Sequence, residues 1–311
     1  MTTSAPRSVA TVLDDDPDSR TVAFGSNSVQ HGSAVFEGIR CHRTADGSAV
    51  FRLDDHLRRL LASARAMGIR HEYDLGRLRE VVLRAAESGG LRDAYLRPVL
   101  YTPDPRLGVG LTAFRFTLGV EVWPATDVVD PVEPVRLTVS PWHRPGPSVF
   151  PVGVKATGLY ALSALARTAA LANGFDDAVQ LDPATGRVAE ATIANIFLVR
   201  DGVVTTPWRT ESLLPGITRD SVLALASRLG YRTVEGPVDR AALQAADEVF
   251  LTGTAFGLVP VAAVDDRTFD QHRPIFTALR QSYRDAVSGL SSTPPGWLTP
   301  VPQRAETGVR T

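Results

Sequence analysis

A chain of 311 residues is long enough for one large domain or two ordinary ones, each with its own apolar core. Its 44% hydrophobic and 22% charged residues are typical of a globular protein, and its net charge of −1 gives no positive field that would attract nucleic acid or an anionic membrane. The single cysteine, Cys41, excludes an intrachain disulfide framework and a cysteine-rich metal site. The acidic N-terminus has no signal-peptide pattern, and no apolar run approaches the ~20 residues of a membrane span. We therefore expect a cytoplasmic protein.

The first third of the chain predicts a small α/β domain, residues 1–123, whose first 20 residues are polar and expected to be loose. Apolar periodicity and turn residues define its elements. In chain order these are a hairpin of strands 35–40 and 49–53, helices 54–67 and 74–90, and strands 94–101 and 112–123. We expect Asp54 or Asp55 to cap the first helix, with Gly68 just past its end.

Residues 124–134 contain three prolines and three acidic residues, which exclude a central strand or a helix interior and predict an interdomain linker. A larger second domain is predicted over residues 135–287, and the Ser/Pro/Gly-rich tail 288–311 is expected to be extended or disordered. The elements predicted for this domain are strands 135–141, 178–181, 187–191, 196–199, 203–206 and 248–251, with helices 159–172, 217–229, 240–246 and 274–286. The chain is thus predicted to be α+β.

One residue type is almost absent from the sequence. The chain has 33 lysine and arginine residues, of which Lys155 is the single lysine, so the other 32 are arginine. Arginine can replace lysine as a surface cation, but its guanidinium stays protonated and cannot attack a carbonyl carbon. Lys155 is therefore a candidate Schiff-base nucleophile, although the chance survival of one surface lysine would give the same count.

A pyridoxal phosphate (PLP) site needs such a lysine, an acid beside the ring nitrogen and a cradle for the phosphate. Glu190 lies on a predicted buried strand, where an unpaired carboxylate is uncommon; a surface ion pair is the alternative. Gly216-Ile-Thr218 begins a predicted helix and could bind an anion. The alternative is that these residues are an ordinary helix cap. Of the neighbours Arg58 and Arg59, one can point to solvent.

Several stretches together carry a resemblance to a known family. They are His31-Gly-Ser-Ala-Val-Phe-Glu-Gly-Ile-Arg40, Phe51-Arg-Leu-Asp-Asp-His-Leu-Arg-Arg-Leu60, Tyr95-Leu-Arg-Pro98, Lys155-Ala-Thr-Gly-Leu-Tyr160, Ala189-Glu-Ala-Thr-Ile-Ala-Asn-Ile-Phe197, Leu214-Pro-Gly-Ile-Thr-Arg-Asp220, Thr252-Gly-Thr-Ala255 and Gly296-Trp-Leu298. In these the chain resembles the branched-chain-amino-acid aminotransferases, which are fold-type IV PLP enzymes. The resemblance implies the two-domain fold of D-amino-acid aminotransferase, with a small α/β domain, a larger β-barrel-like domain with helices, and a homodimeric assembly.

The resemblance also implies an activity and the residues that perform it. The activity is transfer of an amino group between an L-amino acid, branched-chain or otherwise apolar, and a 2-oxo acid such as 2-oxoglutarate, through a Schiff base of PLP on Lys155. Glu190 would pair with the pyridine nitrogen and Tyr160 with the phenolic oxygen. The other implied cofactor residues are Arg59, Asn195, Ile217, Thr218 and Thr254. The implied substrate residues are Phe36, Gly38, Arg40, Tyr95, Arg97, Val109, Ala255 and Phe256.

The sequence departs from the family pattern at four places. His31 stands where the family has Tyr, Leu159 where it has a polar residue and Phe256 where it has a small one, and the linker 124–134 contains no aromatic residue. These changes suggest a specialised amino acid as substrate. Alternatives within the fold are a D-amino-acid or (R)-amine transaminase and an aminodeoxychorismate lyase. A non-catalytic PLP-binding scaffold is the alternative from another class, and the presence of Lys155, Tyr160 and Glu190 argues against it.

Overall fold

The computed structural model describes residues 8–14, 21–127, 133–210, 212–290 and 293–302. The first part of the chain forms β1 (Ala10–Leu13), α1 (Asn27–His31), β2 (Val35–Phe36), β3 (Ile39–Thr44), β4 (Gly47–Phe51), α2 (Leu53–Ala66), α3 (Leu75–Gly89), β5 (Ala94–Tyr101) and β6 (Thr117–Pro124). The second part forms β7 (Val135–Val139), α4 (Tyr160–Ala172), β8 (Asp177–Leu181), β9 (Val188–Ala191), β10 (Asn195–Arg200), β11 (Val203–Pro207), α5 (Ile217–Arg228), β12 (Arg232–Gly236), α6 (Arg240–Gln244), β13 (Glu248–Gly253), β14 (Gly257–Val264), β15 (Arg267–Thr268), α7 (Pro274–Val287) and β16 (Leu298–Pro300).

An antiparallel sheet organises the first part of the chain. Its strand order is β1-β6-β5-β3-β4-β16, with β2 beside β5. The predicted hairpin is present with other bounds: strand 35–40 is divided into β2 and β3, and β3 continues to Thr44 before it pairs with β4. Helix α3 contacts β1, β5 and β6, and α2 packs against α3 and β2. The two helices form because apolar residues recur every three or four positions; on α2 these include the buried Leu53, Leu57 and Leu60. Asp74 caps α3, as predicted, by accepting a hydrogen bond from the Arg77 N–H.

A second sheet, mixed and curled, organises the rest of the chain. Its order is β12-β11-β10-β13-β14-β7-β8-β9, with β15 on β14. Strands β9 and β10 are far apart in this order, yet only residues 192–194 join them, and the Ala191 N–H donates to the Ala194 carbonyl at 2.7 Å. The sheet must therefore bend back on itself, which gives the barrel-like unit that the resemblance implies. Its interior is apolar, and α5 and α7 pack on its outer side around Phe250 and Phe276.

Both ends of the chain are more ordered than predicted. Ala10–Leu13, within the segment expected to be loose, pairs with Gly119–Val122 as an edge strand of the first sheet. In the tail expected to be extended or disordered, Leu298–Pro300 pairs with β4, and the Trp297 ring packs edge-on against Phe51. These strands are too short to give a local signal, because they form by pairing with partners far away in sequence. The C-terminal segment thus returns to the first sheet.

The start of α2 also differs from the prediction. Arg52 occupies the N-cap in the left-handed region (φ 51°), and Asp54 and Asp55 lie in the first helical turn. A non-glycine residue in this conformation is strained by roughly 1–2 kcal/mol. Contacts of Arg52 offset the strain: its N–H donates to the Trp297 carbonyl at 2.6 Å, and its guanidinium donates to Asp220 at 2.9 Å. The cap is therefore set by tertiary contacts and not by local sequence.

Other boundaries shift by a few residues. The strand predicted from 112 starts only at 117, after a 3-10 turn over Leu111–Ala113, and strands β12, β14 and β15 are not predicted at all. The linker predicted at 124–134 begins with the last residue of β6 and a 3-10 turn over Ala125–Asp127, and its residues 128–132 lie outside the described part. The domain bounds themselves stay a prediction.

Among the described residues, no helix has both the length and the apolar character needed to span a bilayer. The same residues contain no group of three or more His, Cys, Asp and Glu side chains arranged to hold a metal ion. Cys41 is a buried free thiol, and burial raises its pKa to about 11.

Candidate active site

A pocket with a cavity volume of about 160 Å³ lies between the two sheets, lined from both parts of the chain. Of the sixteen residues that the sequence and resemblance single out, thirteen line it: Gly38, Arg59, Tyr95, Arg97, Lys155, Tyr160, Glu190, Asn195, Ile217, Thr218, Thr254, Ala255 and Phe256. Phe36 and Arg40 do not line the pocket but contact residues that do: the Phe36 ring packs against Tyr160, and Arg40 donates to the Ala255 carbonyl. Val109 is the exception, since it is 81% exposed and does not line the pocket.

Lys155 is held by its main chain, which leaves its amine free to enter the pocket. Its N–H donates to the Ser63 hydroxyl on α2 at 3.1 Å, and its carbonyl accepts from the Phe36 N–H at 3.0 Å. Its Nζ donates to the Tyr160 hydroxyl at 2.6 Å and lies 4.7 Å from the centre of the Phe36 ring. The helix predicted after Lys155 begins at Tyr160, and a 3-10 turn separates the two residues.

Glu190 is buried and paired, which decides between the two interpretations of the sequence. Its Oε1 forms an ion pair with Arg144 Nε at 3.1 Å, its Oε2 accepts from Asn195 Nδ2 at 3.0 Å, and the residue is only 5% exposed. Burial raises the pKa of Glu190, and the positive charge of Arg144 opposes that rise. Sequence reasoning missed Arg144, because nothing local distinguishes it among 32 arginines; its place follows only from the folded chain.

The start of α5 presents its main-chain N–H groups to the pocket. Gly216 is the N-cap, and within the described ranges no side chain caps the helix. A Cβ at Gly216 would lie 1.9 Å from Asn195 Oδ1, so only glycine fits between Asn195 and the helix. The first N–H groups of a helix and its macrodipole favour an anion at this position. Gly216, Ile217 and Thr218 line the same cavity as Lys155 and Glu190.

Arg59 also faces the pocket, whereas its neighbour Arg58 does not. The Arg58 side chain is 59% exposed beside Asp54 and Asp55, while that of Arg59 is 12% exposed. Arg59 Nη1 donates to the Pro215 carbonyl at 2.9 Å, immediately before the N-cap of α5. The guanidinium therefore lies next to the helix start, on the same side as an anion bound there.

A second set of side chains forms the opposite wall of the pocket. Tyr95 and Arg97 point the same way from β5, and Arg97 Nη1 donates to the Tyr95 hydroxyl at 3.3 Å. The Arg97 guanidinium lies 3.8 Å above the Phe36 ring, which itself packs edge-on against Tyr160. A Cβ at Gly38 would fall 1.9 Å from the Tyr95 hydroxyl, so glycine is required there. Gly38, Tyr95 and Arg97 thus face the cavity at this wall, and Phe36 packs behind them.

The turn after β13 completes the pocket. Thr254, Ala255 and Phe256 line it, and Arg40 Nη1 donates to the Ala255 carbonyl at 2.8 Å. The Phe256 ring lies against Gly253, where an added Cβ would come within 2.7 Å of a ring carbon. Of the other departures from the family pattern, Leu159 lines the pocket, whereas His31 is exposed at the end of α1.

These residues fit PLP. The donor set has a single amine for the aldehyde carbon, a buried carboxylate for the pyridine nitrogen and a helix start with an arginine for the phosphate. The Thr252 hydroxyl is buried at the pocket wall and has no hydrogen-bond partner among the described residues. A buried polar atom without a partner is costly, so a polar ligand at this wall would satisfy it.

Comparison with known proteins agrees with this assignment. The model of the family described as amino-transferase class IV matches residues 34–264. A probable branched-chain-amino-acid aminotransferase of Aquifex aeolicus is 34% identical over 286 residues, covering 90% of this chain and 92% of the relative. The branched-chain-amino-acid aminotransferase of Escherichia coli K12 is 34% identical over 284 residues, covering 89% and 92%.

Solved structures show the same likeness. The branched-chain aminotransferase of Thermoproteus uzoniensis with norvaline has a TM-score of 0.90 and 36% identity, covering 95% of this chain and all of that one. A T.th. branched-chain amino acid aminotransferase with pyridoxamine 5'-phosphate has a TM-score of 0.89 and 34% identity, with 96% and 100% coverage. The chain belongs to the class IV aminotransferases. It is a PLP-dependent transaminase with the two-domain α+β fold of that class.

Proposed function

We propose that the enzyme moves the amino group of an L-amino acid with an aliphatic side chain to a 2-oxo acid such as 2-oxoglutarate. The observation that carries the proposal is the placement of Lys155 Nζ, 2.6 Å from the Tyr160 hydroxyl, in one cavity with Glu190, Arg144 and the start of α5. The relatives and solved structures named above are branched-chain aminotransferases, which favours this substrate class over D-amino acids, (R)-amines or aminodeoxychorismate.

PLP, when bound, supplies an aldehyde that receives the amino group and a ring that withdraws electron density from the substrate Cα. Lys155 is the residue that would hold the aldehyde carbon. Once the substrate amine had displaced it, its free amine would take the proton from the substrate Cα and deliver it to the carbon that had carried the aldehyde. Tyr160 holds Nζ in place through their hydrogen bond. Because its main chain is fixed by Ser63 and Phe36, Lys155 needs only side-chain movement to reach the substrate.

Glu190 is the proposed partner of the pyridine nitrogen, and Arg144 and Asn195 are its positioning residues. Arg144 Nε donates its hydrogen to the Ser212 carbonyl at 3.1 Å, and Asn195 Nδ2 donates to the Leu214 carbonyl at 2.9 Å. The carboxylate is thus fixed to the segment that leads into α5. Arg59, the N–H groups of Ile217 and Thr218, and Thr254 would hold the phosphate, since they lie in the same cavity.

The wall formed by Phe36, Gly38, Tyr95 and Arg97 would receive the substrate side chain. An aliphatic side chain would lie against Tyr95, which lines the pocket with Gly38 and Arg97, and the distal carboxylate of glutamate would pair with Arg97. One pocket could in this way accept both an apolar amino acid and the acceptor's amino form. Ala255 and Phe256 would line the side of the pocket nearest the substrate carboxylate, held there by Arg40.

We further propose a homodimer in the cytoplasm. Leu107 and Val109, on the segment between β5 and β6, are 83% and 81% exposed, which is unusual for two apolar side chains so close together. Contact of this segment with a second subunit would give Val109 the place near a substrate pocket that the resemblance implies. Sedimentation at several protein concentrations tests the dimer, and cell fractionation tests the location.

The proposed reaction is tested by the visible absorption spectrum of the PLP-loaded protein. We expect an imine band that bleaches on addition of L-leucine and returns on addition of 2-oxoglutarate, and that is missing in Lys155→Ala. D-leucine at the same concentration is the control and should leave the band unchanged. Bleaching by the D-isomer alone, or an imine band that survives in Lys155→Ala, would contradict the proposal.

A further inference from the structure

Two buried titratable side chains beside the pocket have no part in the chemistry described so far. Glu37 lies between β2 and β3, and His56 lies on α2; both side chains are fully buried. Neither side chain lines the cavity. Glu37 accepts a hydrogen bond from Arg59, which does line it, and His56 contacts Glu37. A buried carboxylate and a buried imidazole are costly to keep unless they serve a fixed arrangement.

The three side chains form one hydrogen-bonded chain. Glu37 Oε1 accepts from Arg59 Nε at 2.6 Å, and Oε2 accepts from Arg59 Nη2 at 2.8 Å, which is the two-pronged geometry of a strong arginine–carboxylate pair. His56 Nδ1 lies 2.8 Å from the same Oε2, so it must carry the proton and donate. His56 Nε2 is buried with no partner among the described residues.

The charges in this cluster are defined by its contacts. Burial alone would raise the pKa of Glu37, but Arg59 and His56 hold it well below its usual range, so the carboxylate is ionised. Burial lowers the pKa of His56, which is therefore neutral. Burial alone would lower the pKa of Arg59, and Glu37 raises it. The cluster as a whole carries no net charge, and Arg59 cannot act on an anion simply as a free positive charge.

Arg59 must instead act through hydrogen bonds whose directions are fixed by its protein partners. Among the described residues, three of its five N–H groups have acceptors, two on Glu37 and one on the Pro215 carbonyl, which leaves two for a ligand in the pocket. Glu37 fixes the plane of the guanidinium, and Pro215 immediately precedes the N-cap of α5. The remaining N–H groups of Arg59 and the first N–H groups of α5 are thereby held in a constant relation to each other.

We propose that Glu37 and His56 are positioning residues for the phosphate group of the cofactor. His56 orients the Glu37 carboxylate, Glu37 orients Arg59, and Arg59 together with the start of α5 binds the phosphate. This rests on the proposed role of Arg59 and α5 in the phosphate cradle. A preorganised donor set binds an anion more tightly because the side chain loses little further conformational freedom on binding.

The test uses the PLP-loaded protein and two measurements. One is the rate of PLP release after free cofactor is removed, followed as loss of the visible band. The other is the 31P NMR signal of the bound phosphate, which a merely structural change far from the phosphate does not move. In Glu37→Gln the charged acceptor is lost at constant size, and we expect release at least tenfold faster and a shifted 31P signal.

His56 offers a pair of variants that separates positioning from packing. His56→Leu removes the donor to Glu37 and should release PLP several-fold faster, whereas the side-chain amide of His56→Asn can replace Nδ1 and should restore slow release. Glu248→Gln is the matched control. Glu248 is a buried carboxylate that accepts from the Ile275 and Phe276 N–H groups at the start of α7, outside the pocket. It should lower the melting temperature without changing either measurement.

Release from Glu37→Gln or His56→Leu within twofold of the unaltered protein would overturn the proposal. Arg59→Gln then distinguishes the two levels of inference. If Arg59→Gln releases PLP rapidly while Glu37→Gln does not, the cradle stands and the positioning role fails. If Arg59→Gln has no effect either, the cradle itself is wrong. Should Glu37→Gln not fold, the comparison of His56→Leu with His56→Asn decides the question.

Discussion

The ion pair of Arg144 and Glu190 allows a quantitative test of the electrostatics of the site. The two side chains are 11% and 6% exposed, and Nε lies 3.1 Å from Oε1. Arg144→Gln removes the cation and leaves the carboxylate buried without it. Removing one partner of a buried ion pair costs about 3–5 kcal/mol, most of it because the remaining charge is left uncompensated. We therefore expect Arg144→Gln to lower the free energy of unfolding by about 3 kcal/mol.

The double variant Arg144→Gln/Glu190→Gln shows whether that cost belongs to the pair. Because both charges are gone, its loss of stability should be smaller than the sum of the two single losses, with a coupling free energy of about 2 kcal/mol. Urea unfolding of the cofactor-free protein at fixed concentration measures all four species, since bound PLP would add its own binding free energy.

Arg209→Gln is the matched control for this cycle. The Arg209 side chain is 54% exposed, with Asp220 and Glu235 both at 3.4 Å, so its loss should cost less than about 1 kcal/mol. If Arg144→Gln costs no more than this control, Arg144 does not hold Glu190. If the two single losses add to the double loss within about 0.5 kcal/mol, the residues act independently and the proposed support of the pyridine partner fails.

Three further predictions concern the pocket and the frame that surrounds it. Burial lowers the pKa of His42 to about 3, so the imidazole stays neutral in the folded protein, whereas in the unfolded chain it takes up a proton below about pH 6.5. The free energy of unfolding should therefore fall as the pH drops below about 6.5, by about 2 kcal/mol at pH 5. Urea unfolding at pH 8 and pH 5 should show that His42→Leu removes this part of the acid sensitivity, and equal pH dependence of both proteins would refute it. Phe256→Ala should lower kcat/KM for L-leucine and for L-alanine by the same factor, about tenfold, because it widens the pocket beside Gly253 near the carboxylate that both substrates share; a changed leucine-to-alanine ratio would place the ring beside the substrate side chain. Trp297→Ala should lower the free energy of unfolding by about 2 kcal/mol, since the half-buried ring packs on Phe51 and Arg52, and a loss below about 0.5 kcal/mol would mean that the C-terminal segment is only loosely attached.

Much of the fold could be predicted because the relevant signals are local. The start of α3 is determined by Asp74 and an amphipathic run, and the β3–β4 hairpin by a turn between two apolar stretches. What could not be predicted depends on distant partners. Strand β16 exists only because β4 offers an edge, and β14 reads Gly-Leu-Val-Pro-Val-Ala-Ala-Val, a run without alternation that is buried on both faces inside the curled sheet.

The site divides in the same way. Lys155 and Glu190 could be singled out from chemistry, because one is the lone lysine and the other a carboxylate on an apolar strand. That both are in one cavity with Tyr160 and Thr218 follows only from the fold. Arg144 could not be found at all from sequence, since its role depends on a carboxylate 46 positions away that burial and geometry bring within 3.1 Å.

The arginines that cross from the first sheet to the second explain why the pocket lies where it does. Arg40 donates to the Ala255 carbonyl, Arg59 to the Pro215 carbonyl, and Arg52 to Asp220 and Ser221. The acceptors belong to the turn after β13 and to the start of α5, which are two of the segments of the second part that bound the cavity. A guanidinium can make several such bonds in fixed directions, which an ammonium on a flexible stem cannot do. Arginine is thus suited to fix the position of the first sheet relative to the second. At Lys155, by contrast, the proposed reaction requires a side chain that can lose a proton, which arginine cannot do.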